Sequence, residues 1–219
     1  MRNRYHSILF DLDGTLIDPK DGIFGGIRFA LDKMGCPIPP ASEFSSFVGP
    51  PLRKIFGKLL NTDNDSRIEQ AVQFYREKYS TDGLFENALY PGVAEMLSRI
   101  AGSGYAIFLA TAKPRVFARQ IIEQHALNQY FKGIYGSELD GRFDDKGDLI
   151  CHLLEQEGVA GKGAVMVGDR SDDVRAALRN GVFCIGVTYG YGSRDELAQA
   201  GADLIIDSPE AVSEFCMGG

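Results

Sequence analysis

The chain has 219 residues, 44% hydrophobic and 24% charged, enough to bury a core in one or two domains and inconsistent with a disordered, collagenous or coiled-coil protein. Lysine and arginine number 23 against 30 aspartates and glutamates, a formal charge of -7, which argues against a surface for nucleic acid or anionic membrane. An anionic substrate would have to be held by local features.

The first apolar run, Ser7 to Phe10, reads as a strand, and acids interrupt it too soon for a signal peptide or a membrane span. From about Asp18 to Ala88 no convincing strand follows. Ile23, Ile27, Ala30, Leu31 and Met34 form one helical stripe, Leu52, Ile55, Phe56 and Leu59 a second, and Ile68, Val72, Tyr75 and Tyr79 a third. Roughly 70 residues of helix are too many for a crossover and suffice for a small inserted domain. The expected division is 1–17 with 89–219 as one domain and 18–88 as the other.

After Tyr90-Pro91-Gly92 strands and helices alternate. Strands are expected at Tyr105 to Ala110, Gly133 to Tyr135, Ala164 to Val167, Val182 to Val187 and Leu204 to Ile206. Helix signals fall between them: Pro91 ahead of Val93, Met96, Leu97 and Ile100, Pro114 at a first turn, Gly181 as a stop after Asn180, and Ser193 with Glu196 as a capping box. This pattern predicts an α/β fold, a parallel sheet with helices on both faces. Cys36, Cys151, Cys184 and Cys216 are scattered without a CxxC pair, which suits a reducing cytosol.

Three strand ends and one lysine carry polar chemistry. Asp11 and Asp13 close the first strand, where alternation would turn both carboxyls to one face; Gly14 permits a tight turn, and Thr15 offers a hydroxyl and an amide. Asp-Gly is equally a hairpin signal. Gly168-Asp169-Arg170-Ser171-Asp172-Asp173 follows another buried strand, with Asp169 at its end and Asp173 able to face it; acids there also serve as helix caps. Like charges crowded on neighbouring strands call for a cation, and magnesium suits carboxylates and phosphate. Thr111, with the amides around Ala112 at a helix start, could cradle phosphate or simply cap a helix. Lys146 sits among aspartates, as a solvated lysine often does. His6, His125 and His152 have no ligand spacing, and Gly190-Tyr191-Gly192 reads as a plain loop.

In order, strand-end Asp-x-Asp, strand-end Thr, Lys and Gly-Asp-x-x-x-Asp resemble the haloacid dehalogenase-like hydrolase superfamily over nearly the whole chain. The resemblance implies a Rossmann-like catalytic core with a small inserted helical cap. It implies Asp11 as the nucleophile that takes a phosphoryl group, Asp13 as general acid and then base, and Thr111 and Lys146 on the phosphoryl oxygens. Asp11, the Asp13 carbonyl and Asp169 would hold magnesium, with Asp173 (or its neighbour Asp172) behind them.

The small cap, Asp18 and Phe47-Val48-Gly49-Pro50-Pro51-Leu52 resemble phosphoglycolate phosphatases, which implies hydrolysis of a small phosphate monoester. Nucleoside monophosphates and sugar phosphates are the alternatives, then a phosphomutase like β-phosphoglucomutase, then a non-catalytic phosphate-binding module. The cap, through Arg53 and Lys54, is expected to read the leaving group. The expected setting is a cytoplasmic monomer or homodimer acting on a phosphorylated metabolite, without nucleic acid or membrane.

Overall fold

Four consecutive buried residues set the centre of the sheet: β1, Ser7–Phe10, is flanked on both sides by parallel partners. The computed structural model describes residues 5–218. The chain divides into two units, one running to Asp18 and resuming at Leu89, the other Pro19–Ala88.

In chain order the elements are β1, β2 (Ile17–Asp18), α1 (Lys20–Lys33), α2 (Leu52–Leu60), α3 (Asp65–Lys78), β3 (Ala88–Leu89), α4 (Val93–Gly102), β4 (Ala106–Pro114) and α5 (Arg115–Gln124). They continue with β5 (Gly133–Ser137), α6 (Lys146–Glu157), β6 (Ala164–Gly168), α7 (Ser171–Arg179), β7 (Phe183–Val187), α8 (Arg194–Ala200), β8 (Leu204–Ile206) and α9 (Pro209–Met217). Six strands make one sheet in the order β5-β4-β1-β6-β7-β8. Every pairing in it is parallel, so the fold is the Rossmann-like α/β architecture. No helix of the described residues is long and apolar enough to cross a membrane.

Strand alternation sorts the core. Leu9, Phe108, Ala110, Met166 and Cys184 point to one face and pack with Ile150 and Leu153 of α6, Val174 and Ala177 of α7 and Leu197 of α8. Ile8, Ile107 and Val165, equally buried, occupy the alternate positions. Each such side chain contributes about 1.5–3 kcal/mol by leaving water.

The insertion is helical, as its stripes predict. Within it α1 packs closely on α3 and on the π turn Tyr79–Gly83. Glycines one turn apart allow this: a Cβ at Gly22 would lie 1.9 Å from the Gly83 carbonyl oxygen, and one at Gly26 would lie 2.7 Å from the Tyr75 ring.

Three local readings need correction. β4 runs on to Pro114 instead of stopping at Ala110, and its register with β5 is irregular between Thr111 and Pro114. A two-stranded ribbon of β2 and β3, too short to show a period, lies at the ends of the helical insertion. At α8 the expected capping box is half made: Ser193 Oγ accepts from the Glu196 amide at 3.1 Å, while the Glu196 carboxylate accepts from the Ser171 amide at 2.9 Å and pairs with Arg170. An ion pair and a helix-start amide on α7 outcompete the local box.

Candidate active site

From β1 the chain crosses to β4 on one side of the sheet, whereas from β6 it crosses to β7 on the other. The boundary between β1 and β6 is the switch point of the topology, where open α/β sheets bind ligands at the carboxyl ends of their strands. Asp11 and Asp169 follow these two strands, and the Asp11 amide donates to the Val167 carbonyl at 2.9 Å.

β1 ends at Phe10, so alternation does not place Asp11 and Asp13. A turn does: the Leu12 carbonyl accepts from the amides of Thr15, Leu16 and Ile17 at 3.3, 2.9 and 3.1 Å. Among the described residues β1 pairs only in parallel, so Asp13-Gly14 does not turn it into a hairpin. Gly14 has φ +84°, and a Cβ on it would lie 2.2 Å from an Asp169 carboxylate oxygen.

Among the described residues the buried charged side chains are six: Asp11, Asp13, Lys113, Lys146, Asp169 and Asp173. All six converge here. Lys146 Nζ lies 2.9 Å from Asp11 Oδ1 and 2.5 Å from Asp173 Oδ1. Lys113 Nζ lies 2.9 Å from Asp13 Oδ2. Asp11, Asp169 and Asp173 bring carboxylate oxygens within 4.8 Å of one another.

Lys146 opens α6, with Asp145 as its N-cap accepting from the Asp148 amide at 3.0 Å. Asp145 and Asp148 both pair with Arg179, so the neighbouring acids stay outside while the lysine turns in. Burial alone would lower the Lys146 ammonium, but Asp11 and Asp173 outweigh it and hold it above its ordinary value. Asp173 serves both readings at once: Oδ1 takes Lys146, and Oδ2 accepts from the Arg170 amide at 3.0 Å at the start of α7. Asp172 instead pairs with Arg175 on the surface.

Asp169 is held from the Gly190-Tyr191-Gly192 loop, which reads as plain in the sequence. The Tyr191 amide donates to its Oδ2 at 2.8 Å, and Thr15 Oγ1 approaches Oδ1 at 3.5 Å. Tyr189 Oη donates to the Thr15 carbonyl at 3.1 Å, and the Tyr191 hydroxyl donates to Asp18. A Cβ on Gly190 would lie 2.1 Å from the Gly14 carbonyl oxygen, which only glycine avoids. Gly190→Ala is therefore expected to push the Asp169 loop away from the β1 turn. It should lower kcat/KM for p-nitrophenyl phosphate by about tenfold or more, the cost of roughly 1.4 kcal/mol of lost alignment, and a change under twofold would contradict this placement.

Burial raises the Asp169 carboxyl well above its usual range, and Asp173 and Asp11 add to the rise. It also raises Asp13 and Asp173, against the pull of Lys113 and Lys146 respectively. With all six groups ionised, four carboxylates face two ammonium groups, a deficit equal to the charge of one divalent cation. The donors are oxygens from carboxylates, so Mg2+ fits the cluster formed by Asp11, Asp169 and Asp173.

The remaining expected residues are placed differently. Thr111 is buried inside β4, and its Oγ1 accepts from the Lys113 amide at 3.2 Å. Ala112 lies in the strand, three residues before α5, so its amide is not at a helix start as expected; the Ala112 carbonyl accepts from Ser137 Oγ at 2.8 Å. The Thr15 amide is committed to the Leu12 carbonyl. Arg53 and Lys54 lie in the first turn of α2 in the helical unit, Arg53 paired with Glu69 and Lys54 exposed. Sequence reasoning passed over Lys113 and Tyr191; alternation from Thr111 points to the first, whereas nothing local marks the second.

Comparison with known proteins identifies a family and several relatives. A family model described as haloacid dehalogenase-like hydrolase matches residues 8–187. A 5'-nucleotidase of Pseudomonas aeruginosa is 47% identical over 194 residues, covering 89% of this chain and 87% of that protein. A phosphoglycolate phosphatase of Aliivibrio fischeri is 28% identical, covering 91% of each. The crystal structure of a predicted phosphatase from Clostridium acetobutylicum superposes with a TM-score of 0.94 at 39% identity, covering 98% of this chain and 99% of that one.

Proposed function

As the chain belongs to the haloacid dehalogenase-like hydrolase family, we propose that it is a magnesium-dependent phosphatase that hydrolyses nucleoside 5'-monophosphates through an aspartyl-phosphate at Asp11. The observation that carries the reaction is the gathering of all six buried charged side chains of the described residues at one topological switch point. Burying that many charges is costly, and it is maintained where the charges do chemistry.

In this reading an Asp11 carboxylate oxygen bonds to phosphorus as the ester P–O bond breaks, and the Asp13 carboxyl gives its proton to the departing alcohol oxygen. Water then bonds to phosphorus, its proton passes to the Asp13 carboxylate, and the Asp11–phosphorus bond breaks. Lys146, 2.9 Å from Asp11 Oδ1, holds the nucleophile and balances charge on the phosphoryl oxygens. In the same reading the Thr111 hydroxyl, at the break in the β4 register with β5, donates to one of those oxygens. Bound by Asp11, the Asp13 carbonyl and Asp169, magnesium would neutralise phosphoryl charge and relieve repulsion among the acids.

The choice of nucleotide is supported by the 47% identity to a 5'-nucleotidase over most of both chains. A phosphoglycolate substrate is the second reading, supported by relatives of lower identity. Phosphate release from a panel of nucleoside 5'-monophosphates, 2-phosphoglycolate and p-nitrophenyl phosphate tests both. A nucleotide is expected to lead in kcat/KM by about tenfold or more, some 1.4 kcal/mol of selective binding. A lead for 2-phosphoglycolate would favour the second reading, and no magnesium-dependent release from any ester would refute the phosphatase itself.

A further inference from the structure

Lys113 has no part in the steps just described, yet it is one of the six buried charges. Its ammonium grips Asp13 Oδ2 at 2.9 Å, while the other oxygen, Asp13 Oδ1, is buried without a hydrogen-bond partner. The backbone fixes the lysine as well. Thr111 Oγ1 accepts from its amide at 3.2 Å, and a Cβ at Gly136 would lie 2.5 Å from its carbonyl oxygen, so β5 must carry glycine to run beside it. The irregular register between Thr111 and Pro114 is thus a built feature that delivers one lysine to one carboxyl.

We infer that Lys113 is a positioning residue: by holding Oδ2 it fixes the Asp13 carboxyl so that Oδ1 faces the oxygen of the leaving alcohol. The inference rests on the reading of Asp13 as the acid and base. A carboxyl free to rotate about its Cβ–Cγ bond would spend part of its time with no oxygen aligned to the leaving group, and misalignment is costly in proton transfer. Lys113 keeps its own protons throughout. The proton that moves belongs to Asp13: it goes to the alcohol oxygen as the ester bond breaks and is replaced from water as the aspartyl-phosphate is hydrolysed. Each of the two reacting carboxyls then has its own lysine, Lys146 for Asp11 and Lys113 for Asp13.

The test compares an alkyl phosphate, whose alcohol needs the proton, with p-nitrophenyl phosphate, whose phenolate leaves without it. The measured quantity is kcat/KM, which reports only steps up to departure of the alcohol. Lys113→Met should reduce it for the alkyl ester about thirtyfold more than for the aryl ester, and Lys113→Arg should restore much of the difference. In an Asp13→Asn background the same lysine change should cost less than about threefold, because the group it positions is gone. Should Lys113→Met not fold, Lys113→Gln, neutral yet polar, replaces it in every comparison. Equal losses on both esters, or an undiminished loss in the Asp13→Asn background, would overturn the inference. If Asp13→Asn itself shows no preference between the esters, the acid reading fails and the inference with it; if Asp13→Asn discriminates and the lysine variants do not, only the inference fails.

Discussion

Replacing Asp11 with asparagine is expected to lower kcat on p-nitrophenyl phosphate by at least about a thousandfold, some 4 kcal/mol of transition-state stabilisation. The amide is nearly the size of the carboxyl it replaces, in a site only 2% exposed, so the fold should survive. It cannot act as a nucleophile, it binds a hard cation poorly, and it leaves Lys146 with Asp173 alone as a charged partner at the site. Circular dichroism and the midpoint of thermal unfolding check that the protein remains folded. Retention of more than about one per cent of activity would assign the chemistry to another group, because a covalent nucleophile is not replaced by binding interactions.

Loss of magnesium should be as severe. EDTA is expected to silence the enzyme and added Mg2+ to restore it, because Asp11, Asp169 and Asp173 crowd carboxylate oxygens within 4.8 Å of one another. Asp169→Asn separates charge from scaffold: the remaining side-chain oxygen can still accept from the Tyr191 amide, which now holds Asp169 Oδ2 at 2.8 Å. At a fixed, limiting magnesium concentration its activity should fall about a hundredfold, and the half-saturating concentration should rise at least about tenfold. A binding readout needs no turnover. Mg2+ at a hundred times its dissociation constant should stabilise the wild-type fold by about 2.7 kcal/mol in urea unfolding, and Asp169→Asn should lose most of that gain. Full activity after exhaustive dialysis against EDTA, or equal stabilisation of both proteins, would contradict the assignment.

How much of this was legible before the structure varied with the range of the interaction involved. The strands of the parallel sheet could be read because each is a short apolar run bounded by turns. Acids that follow such a run fall at the carboxyl end, which is why Asp11 and Asp169 stood out. Side-chain direction was harder. Asp172 and Asp173 are adjacent acids, and only the packing of α7 turns one to Lys146 and leaves the other with Arg175. The extent of β4 was misjudged because Thr111 and Lys113 are polar residues that nonetheless lie buried in the strand. Ala112 was misplaced by the same error, since it lies inside β4, three residues before α5 begins.

What was illegible depends on contacts distant in the sequence. Tyr191 meets Asp169 through an amide, and backbone donors leave no trace in residue type. Gly190 and Gly192 read as part of a plain loop, yet a Cβ on Gly192 would lie 1.7 Å from the Asp169 carbonyl oxygen, so these glycines mark close approach. Glu196 matched a capping box by spacing, and its carboxylate went to α7 instead. In each case a local rule was overridden by a partner supplied by the fold.

The proposed covalent role of Asp11 can be tested directly in the Asp13→Asn variant. With p-nitrophenyl phosphate the first half-reaction needs no proton from Asp13, whereas hydrolysis of the aspartyl-phosphate needs its carboxylate as base, so the intermediate should accumulate. Rapid acid quenching in the presence of Mg2+, followed by peptide mapping by mass spectrometry, should find one phosphoryl group per chain on Asp11, matched by an equimolar burst of p-nitrophenol. Continued turnover with no burst and no phosphoryl group on the protein, or a phosphoryl group on any other residue, would contradict the account.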